Sequence, residues 1–262
     1  MNPLIESARS LSPAGMMRMW HRNWTIFKKV FWISIAPTFI EPFIYLLSLG
    51  VGLGLFVRQI EGLSYIQFIA PGLLASTVMF GASFETTYDS FVRMKYERTY
   101  DAVLATPLSI EDVIGGEIIW GATRGYINAL IFLFVITIFG LAKLPAALLL
   151  VPLLFIFSLL FAIIGMFFTA LVSNISLFNY YFTLFITPLF LFSGIFFPVE
   201  ALPLWAQRLA FFTPLYHVVL ICRNLALGRL SASVSVSVVL IAFFSAALFL
   251  LPIVFMKRRL IK

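Results

Sequence analysis

One cysteine, Cys222, in 262 residues excludes an internal disulfide and any cysteine-based metal cluster. Charge is scarce too: 11% of residues are charged and 62% are hydrophobic, whereas soluble domains carry about 25% charge. No lysine follows a glycine, so the G-x-x-x-x-G-K-[ST] phosphate loop is absent and this chain cannot hold ATP that way. HExxH and GxSxG are missing as well, and no pair of carboxylates is clustered for acid–base work. Strands that alternate apolar and polar residues between turns are missing, which argues against a β-barrel.

What is present is apolar chain in runs of 20 residues or more, with a mean hydropathy of +1.05. About 20 apolar residues cross a bilayer as a helix, and only helices or closed barrels satisfy their backbone there. The expected fold is therefore an all-α integral membrane protein with six spans, near 33–57, 65–91, 110–141, 146–172, 177–197 and 234–255. The net charge of +7 does not point to nucleic acid, because the basic residues cluster at the termini beside membrane spans. With both termini inside, 12 of the 18 Lys and Arg residues fall on the inner side. Five fall outside (Arg58, Lys143, Arg208, Arg223 and Arg229), and Arg124 is left within the membrane.

Residues 1–32 form a tail that begins irregularly with Pro3 and Pro13, and residues 33–262 form the six-span domain. The tail lacks an apolar core followed by a small-residue cleavage site, so no signal peptide is expected. From Ala14 the residues Met16, Trp20, Trp24, Phe27 and Phe31 recur at helical spacing, opposite Arg18, Arg22, Thr25 and Lys29. That is an amphipathic helix suited to the headgroup layer.

Span 1 carries Pro37 and the pair Glu41-Pro42; a carboxylate at that depth must face protein, water or a partner. Glu85 and Asp89, four residues apart at the end of span 2, read either as a proton or cation site or as polar contacts for the segment that follows. Arg124 is expected to snorkel to the inner surface. His21 and His217 lie on opposite sides of the membrane by this topology and form no joint site. Between spans 5 and 6, Pro198, Pro203 and Pro214 break a stretch too apolar for a free loop. Half-helices that re-enter the outer leaflet would fit it.

The segment 93–112 holds seven charged residues in 20 positions. Tyr96, Tyr100, Val103 and Leu104 form a one-sided stripe, with Lys95, Glu97, Arg98 and Asp101 on other faces. Pro107 should stop that helix, and Ser109 with Asp112 reads as a capping box that opens span 3. A short amphipathic helix at the membrane surface suits contact with a soluble partner; an ordinary solvated loop is the alternative.

The chain resembles the permease subunits of type-2 ABC exporters, and among them the nodulation-factor export permease J group. The resemblance rests on Glu41-Pro-Phe-Ile-Tyr-Leu46 with the following glycines and on Ser64-Tyr-Ile-Gln-Phe-Ile-Ala-Pro-Gly72. It rests also on Phe84-Glu-Thr-Thr-Tyr88, Tyr96-Glu-Arg-Thr-Tyr-Asp-Ala-Val-Leu-Ala-Thr-Pro107, Gly116-Glu117 and Leu191-Phe-Ser-Gly-Ile-Phe-Phe-Pro198. It implies two permease copies and two ABC ATP-binding subunits in a bacterial inner membrane, exporting an amphiphilic substrate such as a lipo-oligosaccharide, glycolipid or hydrophobic drug. It implies no cofactor in this chain, with ATP and Mg on the partner subunit.

Carried over by position, 94–107 would be the coupling helix gripped by the ATPase through Glu97, Arg98, Thr99, Tyr100, Asp101, Leu104 and Pro107. The N-terminal helix would be a membrane-surface elbow. Glu41, Phe43, Tyr45, Tyr181, Phe185 and Phe192 would border the path. Phe196, Phe197, Pro198, Pro203, Trp205 and Pro214 would form an external gate across 198–214. Two other readings stand beside this one: a membrane-embedded lipid-modifying enzyme using Glu41, Glu85 or Asp89, and a non-transporting membrane anchor.

Overall fold

A computed structural model of the chain describes residues 7, 10–57, 59–229 and 232–260, without the side chains of 37–39, 232 and 233. Pro3 and Arg58 lie outside the described residues, as does the side chain of Pro37. Among the described residues the regular structure is all helical, apart from an isolated bridge between Ile60 and Leu63. Six helices are long and apolar enough to cross a membrane: span 1 (Phe31–Leu55), span 2 (Tyr65–Lys95), span 3 (Ile110–Ile138), span 4 (Ala146–Leu171), span 5 (Ile175–Phe192) and span 6 (Val234–Leu260).

Spans 2, 3 and 4 form the core. Span 2 is buried along most of its length, with Phe68, Leu73, Leu74, Val78 and Met79 wholly enclosed. Its close approach to span 3 depends on Gly121 and Gly125. A Cβ at Gly125 would stand 3.0 Å from the Ala82 nitrogen and 3.0 Å from the Val78 carbonyl oxygen, and one at Gly121 would meet the Thr86 methyl. In lipid, where apolar surface gains nothing by turning inward, small residues at the contact let dispersion and polar bonds hold the helices together. Span 2 also widens by one residue at Glu85–Asp89, a π-turn. The Thr86 carbonyl there accepts a hydrogen bond from the Thr169 hydroxyl of span 4 at 2.7 Å, so the irregular backbone stays satisfied.

The two ends of the bundle are distinct. At one end Lys95 donates to the Ser173 carbonyl (2.8 Å), Lys257 pairs with Glu111 (2.8 Å) and Arg259 donates to the Thr169 carbonyl (2.6 Å). The N-terminal helix, Pro13–Lys29, is capped by the Ser12 hydroxyl and packs against the first half of span 3 at that end. Its buried residues are Gly15, Met19, Asn23 and Phe27, so one face lies on protein; Arg18 and Lys29 face outward.

At the opposite end a bent pair, Leu204–Phe211 and Pro214–Ala226, turns through 85°. The first limb fits the expected re-entrant segment. The second corrects the count of Arg223 among the external residues, because it lies on a helix whose Leu215, Val218, Val219, Ile221, Cys222, Leu225 and Ala226 are buried. Arg223 made that stretch look external. Its guanidinium instead donates to the Gly194 carbonyl (2.6 Å) and lies 3.8 Å from the Phe68 ring centroid, so the charge is spent inside the fold.

Gly125→Leu should destabilise the span 2–span 3 contact by about 1–3 kcal/mol, the usual cost of overpacking. Gly52→Ala, where a Cβ meets nothing within 4 Å, should be neutral. Thermal melting of the detergent-solubilised variants checks this, and equal melting temperatures would contradict the packing described.

Candidate functional site

Two sets of polar residues stand out against this apolar frame: a surface segment between spans 2 and 3, and a buried ionic network directly behind it. The surface segment corrects the expected single helix over 94–107. Span 2 ends at Lys95, Arg98 adopts a left-handed conformation with φ of 53°, and a new helix runs only over Thr99–Leu104. Tyr96 therefore does not share a stripe with Tyr100: Tyr96 is exposed, while Tyr100 is buried with its hydroxyl 2.6 Å from the Ser90 hydroxyl. Burial, with Glu117 close by, pushes the Tyr100 phenol well above its ordinary pKa, so it stays neutral.

Thr99 is also buried. Of the seven predicted contacts, Glu97, Arg98, Asp101 and Pro107 are exposed and Leu104 is half-buried. Ala102 and Ala105 join them on the free face, small residues the stripe reading passed over. Ser109 closes the segment as expected, its hydroxyl accepting from the Asp112 amide at 3.1 Å while Asp112 accepts from the Ser109 amide at 3.3 Å.

Asp112 does more than cap. Its second oxygen accepts from the Ser12 amide at 2.6 Å, which ties the start of the N-terminal helix to span 3.

Behind the segment lies Arg93. Its Nη1 donates to Glu85 Oε1 at 2.8 Å, and Nη2 and Nε donate to Glu117 Oε2 at 2.6 and 3.1 Å. Glu85 accepts from Trp120 Nε1 (2.7 Å) and from Arg124 Nε (3.0 Å). Glu117 accepts from Asn23 Nδ2 of the N-terminal helix at 2.7 Å. Arg22 then donates to the Asn23 carboxamide (2.8 Å) and to the Thr99 hydroxyl (3.2 Å), which brings the chain of bonds back to the surface segment. At the other end Arg124 Nη2 reaches the Ser34 carbonyl of span 1 at 3.3 Å, and its guanidinium lies 4.4 Å from the Phe27 ring centroid.

One expectation falls here and one is met. Arg124 does not snorkel to the surface, because Glu85 offers a charge partner inside the bundle. Glu85 makes the polar contact expected with the segment that follows it, through Arg93, and Arg124 and Trp120 donate to it as well.

The residues expected along a path do not share one surface. Glu41 and Tyr45 line a cavity of about 370 Å³ with Thr77, Asp89, Arg124 and Asn128. Tyr181 is buried with its hydroxyl 3.2 Å from that of Ser83, and Phe43 packs on Phe139 with centroids 6.3 Å apart. Phe185 lines a separate apolar cavity of about 390 Å³, beside Phe211, Phe212 and Pro214. Phe192 is exposed.

Of the predicted gate, Phe196, Phe197 and Pro198 are half-buried, Pro203 and Trp205 are exposed, and Pro214 opens the second limb. His217 is held by the Phe211 carbonyl (2.9 Å) and the Ser237 hydroxyl (3.2 Å), a packing role. Among the described residues no three His, Cys, Asp or Glu side chains are placed to hold a metal ion.

Comparison with known proteins gives a consistent picture. The family model described as ABC-2 type transporter matches residues 15–227. Nodulation protein J of Rhizobium leguminosarum bv. viciae is 36% identical over 253 residues, covering 95% of this chain and 98% of that protein. Nodulation protein J of Rhizobium meliloti is 34% identical, covering 92% of each chain. Inner membrane transport permease YadH of Escherichia coli is 24% identical, covering 78% of this chain and 80% of that one.

Removing one partner of a buried ion pair costs about 3–5 kcal/mol because a charge is left alone. Arg93→Ala should therefore lower the melting temperature far more than Arg124→Ala, which leaves Glu85 with both Arg93 and Trp120. Equal losses in a detergent melt would contradict the central place given to Arg93.

Proposed function

This chain belongs to the ABC-2 type transporter family, and from that premise we propose that it is the transmembrane permease of an ATP-driven exporter that moves an amphiphilic substrate out of the cytoplasm or inner leaflet. The observation that carries the proposal is the exposed segment Glu97–Pro107 at one end of the bundle, backed by the Arg93 network. The chain has no phosphate loop, so the energy must come from a separate ATP-binding subunit. The exposed Glu97, Arg98, Asp101, Ala102 and Pro107, with half-buried Leu104, offer that subunit a small apolar ridge flanked by charges of both signs.

Charges at a rim set register and encounter, while the apolar ridge supplies the buried contact. Thr99 and Tyr100 belong to the support of this surface rather than to the contact itself. The end that carries the segment and both termini is the cytoplasmic one, in keeping with the basic residues gathered there. The resemblance to nodulation-factor export permeases supports export of a molecule with a lipid-like part, and the scarcity of charged residues, 11% of the chain, supports the same.

A second permease copy is supported by span 1, which leaves Trp32, Ile33, Ile44, Val51 and Leu55 uncovered on a single chain. The re-entrant pair 204–226 would close the far end of the path.

Asp101→Lys and Leu104→Asp should each abolish copurification of the ATP-binding subunit from cells that express both genes, with all six spans still inserted. Tyr100→Phe, which removes only the buried bond to Ser90, should retain it. Unchanged copurification in both surface variants would overturn the assignment.

A further inference from the structure

The 370 Å³ cavity between spans 1, 2 and 3 carries charge that the ionic network does not absorb. Glu85 in its wall is matched by Arg93 and Arg124. Asp89, which also lines it, shares a side-chain hydrogen bond with Glu85, whereas Glu41 has no Lys or Arg nitrogen within 4 Å among the described residues. Two further groups in the wall lack a partner. Asn128, only 6% exposed, has a buried carboxamide oxygen with no donor, and Arg124 Nη1 has no acceptor. A buried polar atom left unpaired costs about 1–3 kcal/mol, and a carboxylate at membrane depth costs more, so a ligand that meets all three is favoured.

Two acceptors in the wall, the Glu41 carboxylate and the Asn128 carboxamide oxygen, are without a charged or hydrogen-bonded partner among the described residues, and Arg124 Nη1 leaves its two N–H groups free. An ammonium group has three N–H donors and a positive charge, and it satisfies both acceptors. A metal ion does not fit, because no cluster of three ligating side chains is present among the described residues. The rest of the wall is aromatic, with Tyr45, Phe80, Phe84 and Phe190. Aromatic faces attract a cation and shelter the alkyl carbon beside it. Phe84 and the neighbouring Ile33 and Ile44 of span 1 are exposed apolar residues along which a hydrocarbon tail can lie.

We propose that this cavity binds the ammonium headgroup of an amphiphile, held by the carboxylate of Glu41 and the carboxamide oxygen of Asn128. Arg124 Nη1 donates to an acceptor next to the ammonium, a phosphate or a hydroxyl. The amphiphile is either a membrane aminophospholipid or the exported molecule. The inference extends the permease reading and rests on it for the amphiphile, but its test needs no ATP-binding subunit.

The full chain, purified alone in maltoside micelles, is titrated with dodecylammonium and with dodecanol, which has the same tail and no charge. The ammonium probe should bind at least tenfold tighter. Glu41→Gln should erase that preference, Asn128→Ala should weaken ammonium binding several-fold, and Glu61→Gln at the opposite end should leave it intact. Melting curves confirm that each variant is folded.

Native mass spectrometry of the chain taken directly from membranes separates the sources. A retained aminophospholipid that is lost in Glu41→Gln identifies a resident lipid. Selective dodecylammonium binding without a retained lipid identifies the head of the exported molecule. Equal affinity for the two probes, or full preference surviving in both folded cavity variants, would overturn the proposal. Either result leaves the ATPase copurification test untouched, so the two readings fail separately.

Discussion

The rest of the structure depends on one guanidinium. Arg93 sits between Glu85, on its own helix, and Glu117, on the next, with both carboxylates almost wholly buried. Neither carboxylate is stable alone at that depth, and desolvation of the three groups is repaid only by short, well-aligned bonds. Such an arrangement is poor evidence for net stability, yet it permits few alternatives. Sliding span 3 by one turn against span 2 would leave Glu117 facing hydrocarbon. Glycines and threonines at the same contact then set how close the helices come, and the buried charges set which turns meet.

The same network ties the membrane core to its surface. Asn23 and Arg22 of the N-terminal helix pass the bonding from Glu117 to Thr99, at the start of the exposed turn. Arg124 passes it to the backbone of span 1. A push on the surface turn is therefore met by polar bonds that reach three spans and the N-terminal helix, which suits a permease driven by a subunit outside the membrane. Span 1 is otherwise loosely held: most of its hydrophobic window is uncovered, in contrast to span 2.

Six spans were legible because length and hydropathy alone decide which segments can cross a bilayer, and the Ser109–Asp112 box was legible because a cap is local chemistry. The break at Arg98 was not, since nothing in Glu97-Arg-Thr marks a left-handed residue and the apolar spacing across it still read as helical. The Glu85–Arg124 pair spans 39 positions and could be suspected only by asking where two intramembrane charges of opposite sign would meet. The second half-helix was hidden by Arg223 and Arg229, whose charge read as surface. For Arg223, two backbone carbonyls and an aromatic ring take the place of water.

The most direct measurement uses the silence of the native thiol. Cys222 is buried and gives no background, so Ala102→Cys and Ala105→Cys place single reactive thiols on the exposed turn, and Leu144→Cys places one on the opposite end. Cross-linking in membranes that hold the candidate ATP-binding subunit should trap that subunit from positions 102 and 105 and not from 144. Trapping from 144 alone, or equally from all three, would contradict the assignment of the surface turn as the place where the ATPase drives the permease.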